Sequence, residues 1–350
     1  MRLRSIGIAC AVTVLAVATT AAAASGSSQA ASPSSGDPAK VACKGKRLRL
    51  GVSAPLPDPN YDLIYGMIAR DVKKAGGRSQ FTQANLDPNK QIADIRAMVS
   101  GGVNVLIVAP VNPQAVQPAL NAARSRGVKI VATDIFVGGP YATNVATSPR
   151  DAGFEAARYL KQTVGDGAVA AILAPTFAGE VIAARNRGFL AGAKQFGLNL
   201  VAQDTATAFS PDEGAKILGT YRVRFGSTLK GVWIFNDVLA LAAPALTGSG
   251  FDPAIVGVNG IPAFIGLIQG GKAAATWNLH PEAIAHTLAW ASHRAICNIK
   301  LPKNIFVPVT KVDRANAARW VAWEKLPTLP FQVKLTTKLR KTTVGIGTNP

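Results

Sequence analysis

Short β-rich runs alternate with amphipathic helical stretches from residue 47 almost to the end of the chain, and this rhythm leaves few architectures open. The run from 103 to 109 is nearly continuous in apolar residues, which marks a strand buried on both faces, as in a parallel sheet covered by helices. Around it the spacing predicts strands at 47–54, from 81, and at 129–135. A helix over 61–75 stops at Gly76-Gly77, and another opens at Asp87-Pro88 and ends at Gly101-Gly102. Asn112-Pro113 caps the next, with proline near its first position. The pattern then repeats. Strands are expected at 168–173, 199–203, 229–235 and 254–258, with helices at 179–196, 211–224 and 237–246. Alternation at this spacing requires right-handed crossovers and parallel strands, so two such series imply two similar α/β lobes. A long helix over 281–298 and a late strand over 306–312 follow.

The ends of the chain speak to its destination. Arg2 and Arg4 precede an apolar run over 6–24 that closes in alanines, the form of a cleaved export signal; the alternative is an uncleaved anchor. A Ser/Ala/Pro-rich linker over 25–45 separates this signal from the body. Neither Cys10, inside the apolar run, nor Cys43, preceded by Lys40, is placed for lipid modification. Removing the signal leaves Cys43 and Cys297. In an oxidising compartment they are expected to form a disulfide, the alternative being two buried free thiols. A length of 350 residues suits two domains. The net charge of +19 raises nucleic acid, anionic lipid or wall polymer as partners. However, the lysines and arginines are scattered along helical stretches, and the one dense run (Lys334, Lys338, Arg340, Lys341) has no interleaved aromatics. The reading is a solvated basic surface and no nucleic-acid partner.

Catalytic motifs find little support. Gly165-Asp166-Gly167 with Ala170 loosely matches a dinucleotide turn but precedes its strand instead of following it. There is no phosphate-loop lysine motif and no G-x-S-x-G turn. His286, Trp290, His293 and Cys297 fall on one helical face, yet no further ligand joins them at metal spacing, so the stripe reads as a packed helix face. No enzyme activity, metal or cofactor is expected.

The strand ends carry the more specific signal, because ligands in open parallel sheets bind beyond the carboxyl ends of strands. These positions read Ser53 through Tyr61, Thr133-Asp134, Ala184-Arg185-Asn186-Arg187-Gly188-Phe189, Phe235-Asn236-Asp237 and Val256-Gly257-Val258-Asn259-Gly260. In that order and spacing, over residues 47–312, the chain resembles the ribose-binding type of periplasmic sugar-binding protein, whose lobes are shared with lactose-repressor-like regulators. A regulator would need an N-terminal DNA-binding helix pair where this chain has its signal. The resemblance implies two Rossmann-like lobes with parallel sheets, a ligand cleft between them and three crossings, near 146–149, 277–281 and 309–313. Lobe 1 would comprise 46–147 plus 281–310, lobe 2 148–278 plus 311–325, and 326–350 would be a basic tail. It implies a monomer in the periplasm or extracytoplasmic envelope that hands a small sugar or polyol to a membrane ABC permease. The alternative is a ligand-sensing or wall-associated protein of the same fold.

The resemblance also assigns roles. Asp134, Arg185, Asn236 and Asn259 fall at hydroxyl-binding positions; Arg185 can fork to two neighbouring oxygens and Asp134 can accept from hydroxyls. Tyr61 and Phe209 fall where such proteins sandwich a sugar ring, Ser53 and Asp58 on the first-lobe wall, and Trp277 near the second crossing. Each residue also has a plainer reading: Asp237 or Asn236 as a helix cap, Arg185 as a surface ion-pair partner, and Tyr61, Phe209 and Trp277 as core aromatics. Four positions depart from the family pattern: Ile135 for an arginine, Leu279 for a glutamine, Asn259 for an aspartate and Pro149 for an asparagine. They point away from ribose and toward a deoxy sugar, a polyol or an aglycone-bearing compound.

Overall fold

The computed structural model describes residues 36–41, 43–134, 138–175, 180–338 and 341–346. The expected signal, the linker up to residue 35, and Ile135 lie outside them.

The first lobe begins with β1 (Arg49–Ala54), α1 (Pro59–Lys74), β2 (Arg78–Gln83), α2 (Pro88–Ser100), β3 (Val105–Val108), α3 (Gln117–Ser125), β4 (Lys129–Thr133) and β5 (Thr143–Ala146). Asp58 and Asp87 cap α1 and α2 by accepting from the backbone N–H two residues on, with a proline at the first helical turn. Then come α4 (Pro149–Val164), β6 (Ala168–Leu173), α5 (Glu180–Phe196), β7 (Leu200–Thr205), α6 (Pro211–Phe225) and β8 (Leu229–Ile234). The second series closes with α7 (Asp237–Ala240), α8 (Ala243–Leu246), β9 (Ala254–Asn259), α9 (Pro262–Gln269) and β10 (Ala275–Asn278). After these the chain adds α10 (Pro281–Ile296), β11 (Asn304–Phe306), β12 (Thr310–Asp313), β13 (Leu335–Lys338) and β14 (Lys341–Val344).

Two sheets result, ordered β13-β14-β11-β5-β4-β3-β1-β2 and β12-β10-β9-β8-β6-β7. All pairings are parallel except β10 with β12 and β13 with β14. The chain passes between the sheets four times, after β5, after β10, between β11 and β12, and between β12 and β13, one more than the three crossings expected, because the last segment returns to the first lobe and places Trp323 and Leu326 in its core. The two apolar cores are distinct. In the first, α1 and α10 cover one face of the sheet (Ile64, Ile68, Ala285, Leu288 over Val52, Ile107, Val131), and Ile95, Leu120 and Ala123 of α2 and α3 cover the other. The second is centred on Phe189 stacked on Trp233, with ring centroids 4.4 Å apart. Helices α4 and α5 approach so closely that a Cβ at Gly188 would run into the Arg150 carbonyl. That contact fixes the N-terminal half of α5, and with it Arg185.

Several sequence expectations shift. The single late strand over 306–312 is two strands in different sheets, because Pro308 and its neighbours carry the chain across. The helix over 237–246 breaks into α7 and α8, with Pro244 in the first turn of α8. The strand placed at 199–203 runs over 200–205. The segment read as a basic tail includes a hairpin, β13–β14, that extends the first sheet beyond β11. Gly36 pairs with Val333 in an antiparallel bridge, so both ends of the body lie on this lobe. Nearby, Cys43 and Cys297 are disulfide-bonded, with Cα atoms 5.8 Å apart.

The remainder of the histidine stripe is buried core. His286 Nδ1 lies 2.5 Å from Asp71 Oδ2, and its ring stacks on Phe331. His293 is wholly buried and neither ring nitrogen has a hydrogen-bond partner. Burial pushes its pKa down to about 4, with Arg294 adding to the shift and Asp71 opposing it.

Two predictions follow from these contacts. Reduction of the Cys43–Cys297 bond, which closes a loop of 254 residues, should cost ~2–4 kcal/mol, read as a drop in melting temperature with dithiothreitol that is absent in a Cys43→Ser/Cys297→Ser variant. His293, neutral when folded and more basic when unfolded, withdraws stability as pH falls from about 6.5 toward 4. Urea denaturation of His293→Leu should show less loss between pH 7 and pH 5 than the parent; equal losses would refute the assignment.

Candidate ligand-binding site

The carboxyl ends of β1, β3 and β4 face those of β8 and β9 across a cavity of about 120 Å³. Eight of the nine site residues expected from the sequence line it: Ser53, Asp58, Tyr61 and Asp134 from the first lobe, and Arg185, Phe209, Asn236 and Asn259 from the second. Trp277 does not. Its side chain lies in the second core, edge-on to Tyr159 of α4 at 6.0 Å, so the expected place beside the ligand is not taken. Near that crossing, Leu279 lines the cavity instead.

The first-lobe wall is tied together by hydrogen bonds. Tyr61 Oη donates to Asp134 Oδ2 at 2.6 Å, holding the top of α1 to the end of β4. Asp134 itself has a φ of +61°, the left-handed turn that aims its carboxylate off the strand. Asp58 also caps α1, through the Asn60 N–H at 2.8 Å. Gln91 of α2, which sequence reading missed, is fully buried; it donates to Ser53 Oγ and the Ala109 carbonyl and accepts from the Val111 N–H. It thereby fastens the end of β1 to the loop after β3. A buried glutamine on an otherwise ordinary helix gives no signal in sequence.

The second-lobe wall is organised by Asp237. The sequence suggested that it caps its helix, but Asn236 is the cap, accepting from the Val238 N–H at 2.9 Å, while Asp237 turns inward. Asp237 accepts from the Gly260 and Ile261 N–H groups and from the Thr276 hydroxyl, joining β8, β9 and β10. A Cβ at residue 257 would strike this carboxylate, which is why glycine stands there. Besides the cap bond that its oxygen accepts, Asn236 has two amide N–H donors to give a ligand. Phe209 packs edge-on against Phe235 at 5.2 Å.

Arg185 is not a surface ion-pair partner. It is 4% exposed, with Nη1 donating to the Phe235 carbonyl at 3.0 Å and Nε without any partner. Burial lowers its pKa, opposed by the charges of Asp237, Asp58 and Asp134. Asn259, at φ +136°, likewise presents a buried Oδ1 with no partner. Burial raises the pKa of Asp134, against the pull of the Tyr61 hydroxyl and Arg185; burial also raises that of Asp58. The cavity thus presents carboxylate acceptors from one lobe and a guanidinium donor from the other, with amides of both characters. That set recognises hydroxyl groups, which donate and accept at once. Among the described residues no cluster of three His, Cys, Asp or Glu is arranged to hold a metal ion.

Asp237, pushed up to about 6 by burial, binds its proton more tightly folded than unfolded, so this group's stability grows as pH falls from about 6 toward 4 and is lost as pH rises through 6. An Asp237→Asn variant sets an amide against two N–H donors and should lose ~1–3 kcal/mol at pH 7.5. In urea titrations the parent should gain on the variant between pH 7.5 and pH 5, and a constant difference would contradict the shift.

Comparisons with known proteins agree with this geometry. Residues 56–300 match the family described as Periplasmic binding protein domain. The ribose import binding protein RbsB of Bacillus subtilis (strain 168) is 27% identical over 267 residues, covering 75% of this chain and 87% of that protein. A xylitol-binding protein of Mycolicibacterium smegmatis is 27% identical over 195 residues, 55% of this chain and 56% of that protein's length. Among solved structures, an ABC transporter solute binding protein from Mycobacterium smegmatis with bound glycerol superposes with a TM-score of 0.69 at 25% identity, covering 79% of this chain and 98% of that one. A periplasmic solute binding protein from Actinobacillus succinogenes with bound D-allose superposes with a TM-score of 0.71; at 18% identity, over 79% of this chain and 100% of that one, the likeness shows the fold.

Proposed function

We propose, because this chain belongs to the periplasmic binding protein domain family, that it is an extracytoplasmic receptor that captures one small sugar, polyol or sugar-like molecule for an ABC importer. The observation that carries this reading is the pair of buried, partnerless atoms Arg185 Nε and Asn259 Oδ1, one donor and one acceptor, in a cavity whose opposite wall holds Asp58 and Asp134. Leaving such groups unmade is costly, and a hydroxylated ligand satisfies both. The ribose import binding protein and the xylitol-binding protein among its relatives support the ligand class. The family is one of binding proteins and the ribose relative serves import, which supports a binding role and not an enzymatic one.

The working cycle follows from where the contacts lie. A ligand held only by Asp58, Asp134 and Ser53 uses half the site; contacts from Arg185, Asn236 and Asn259 require the second lobe in place. Ligand therefore favours the closed arrangement by its differential affinity for it. The closed arrangement is what a membrane permease recognises, and the receptor acts as an exported monomer whose basic surface is solvated.

A thermal-shift screen of pentoses, hexoses, inositols and polyols should find one compound that raises the melting temperature, worth about 2.7 kcal/mol at a hundred times its Kd. Arg185→Met should weaken that compound at least thirtyfold, about 2 kcal/mol, by stranding the carboxylates opposite. A silent panel, or unaltered affinity in the variant, would count against the receptor reading.

A further inference from the structure

We propose that the end of the first lobe opposite the ligand cavity is a docking groove for a linear polymer that carries phosphate charges along its backbone and no bases. The proposal goes beyond the receptor reading and stands on a different part of the molecule. The basic surface is solvated, but its charge is not evenly spread.

Strands β1 to β5 and β11 pair in parallel, so their amino ends share one edge of the sheet, away from the carboxyl ends that form the cavity. Most of the segments at this edge are strongly basic. Residues 44–49, 73–78, 124–129 and 300–303 hold four, three, three and two lysines or arginines respectively, and no Asp or Glu. The segments over 101–104 and 139–143, which lead into β3 and β5, carry no charge. Strand pairing brings the cations together. Arg49 of β1 is paired with Arg78 of β2. The Asn104 side chain accepts from the Arg49 N–H and donates to the Arg47 carbonyl, and the Asn104 carbonyl accepts from the Lys129 N–H. Two surface grooves result. Lys46, Arg47, Arg49 and Lys129 line the first, and Arg124, Lys129, Lys300 and Lys303 the second. Gly127, Lys129 and Asn298 belong to both, so the two run into one another, and no acid lines either.

A cation near a helix C-terminus is ordinary, because it meets the negative end of the helix dipole. The second lobe shows what that effect gives by itself. The groove at the amino ends of its strands sets Asp252 among Lys230, Lys272 and Arg314, and Asp166 close by pairs with Lys161. The first lobe lacks this balance. Among the described residues, no lysine or arginine of its two grooves takes part in an ion pair. Like charges set side by side repel and destabilise the fold. A polyanion laid along them relieves that repulsion and releases its own counterions.

Shape and lining narrow the partner. A concave track admits a chain, whereas a flat bilayer meets only its rims. Tyr141 is the one aromatic side chain on either lining, and the Lys303 ammonium already covers one face of its ring, 5.6 Å from the centroid. The grooves thus offer contacts for phosphates and no series of aromatic plates on which bases could stack.

The test is binding of the purified protein to fluorescently labelled, deacylated poly(glycerol phosphate), followed by anisotropy across a salt series. The polymer should bind, with log affinity falling linearly as log salt rises. Lys46→Gln/Lys129→Gln/Lys300→Gln should weaken binding about tenfold or more and flatten the salt slope by about 1 for each charge removed. The corresponding Lys→Arg triple variant keeps the charge and should restore both. Lys230→Gln/Lys272→Gln/Arg314→Gln removes the same charge from the second lobe and should leave affinity nearly unchanged. Melting followed by circular dichroism establishes that each variant is folded. Equal losses in the two neutralised variants would show attraction to net charge alone and overturn the proposal, as would a polymer that fails to bind at low salt. Phosphatidylglycerol vesicles or an oligothymidylate binding more tightly, phosphate for phosphate, would give the face to a membrane or a nucleic acid and overturn it too. None of these outcomes bears on the sugar site, which the thermal-shift screen reads separately.

Discussion

A guanidinium withdrawn from water needs acceptors on every side, and much of this structure is arranged around that need at Arg185. Its charge is balanced by Asp237 within its own lobe and by Asp58 and Asp134 from the other. Asp237 meets this role only because it is itself held by Gly260, Ile261 and Thr276, which demands that β8, β9 and β10 lie in register and that residue 257 lack a side chain. The helix carrying Arg185 is set by the close α4–α5 contact at Gly188. A chain of small steric facts thus ends in one buried cation facing two carboxylates whose own protonation is already favoured by burial. A neutral, hydroxylated body between these charges answers them without adding a charge of its own.

The crossings between the lobes are built with the same economy of polar groups. His280 stands in the left-handed region at φ +53°, its backbone N–H donating to Asn278 Oδ1, its Nε2 2.7 Å from the Thr310 hydroxyl and its Nδ1 3.2 Å from Glu282. It therefore ties the second crossing to the third. A ligand-driven change in lobe angle must act on these two strands of chain together, since the imidazole couples them, while the first crossing, at Thr147 and Ser148, opens directly into α4.

Much of this was legible in the sequence, for physical reasons. The apolar run of β3 has no polar face to show, and Asp87-Pro88 announces α2, whereas α1 begins at Pro59, two residues before the spacing placed it. Eight of nine expected site residues reach one cavity because the carboxyl ends of parallel strands point the same way, so order along the chain translates into position around a cleft. What stayed hidden depends on which elements meet. Periodicity cannot assign β11 and β12 to different sheets, nor show that the last strands pair with β11. Trp277 reads equally well as a ring platform or a core residue, and only the position of Tyr159 decides. Asn236 and Asp237 compete for one cap, and the three donors around Asp237 settle it.

The cover of the first sheet was legible only in part. Tyr61, Ile64, Tyr65 and Ile68 follow the i, i+3, i+4, i+7 spacing of any helix that covers a sheet, and such a stripe predicts a filled core. That core is completed by α10, which arrives from residues more than two hundred positions away to cover the same strands. Where that core meets the cavity, Ile64 and Ile284 stand beside the polar junction, a meeting of elements that no single helix pattern announces.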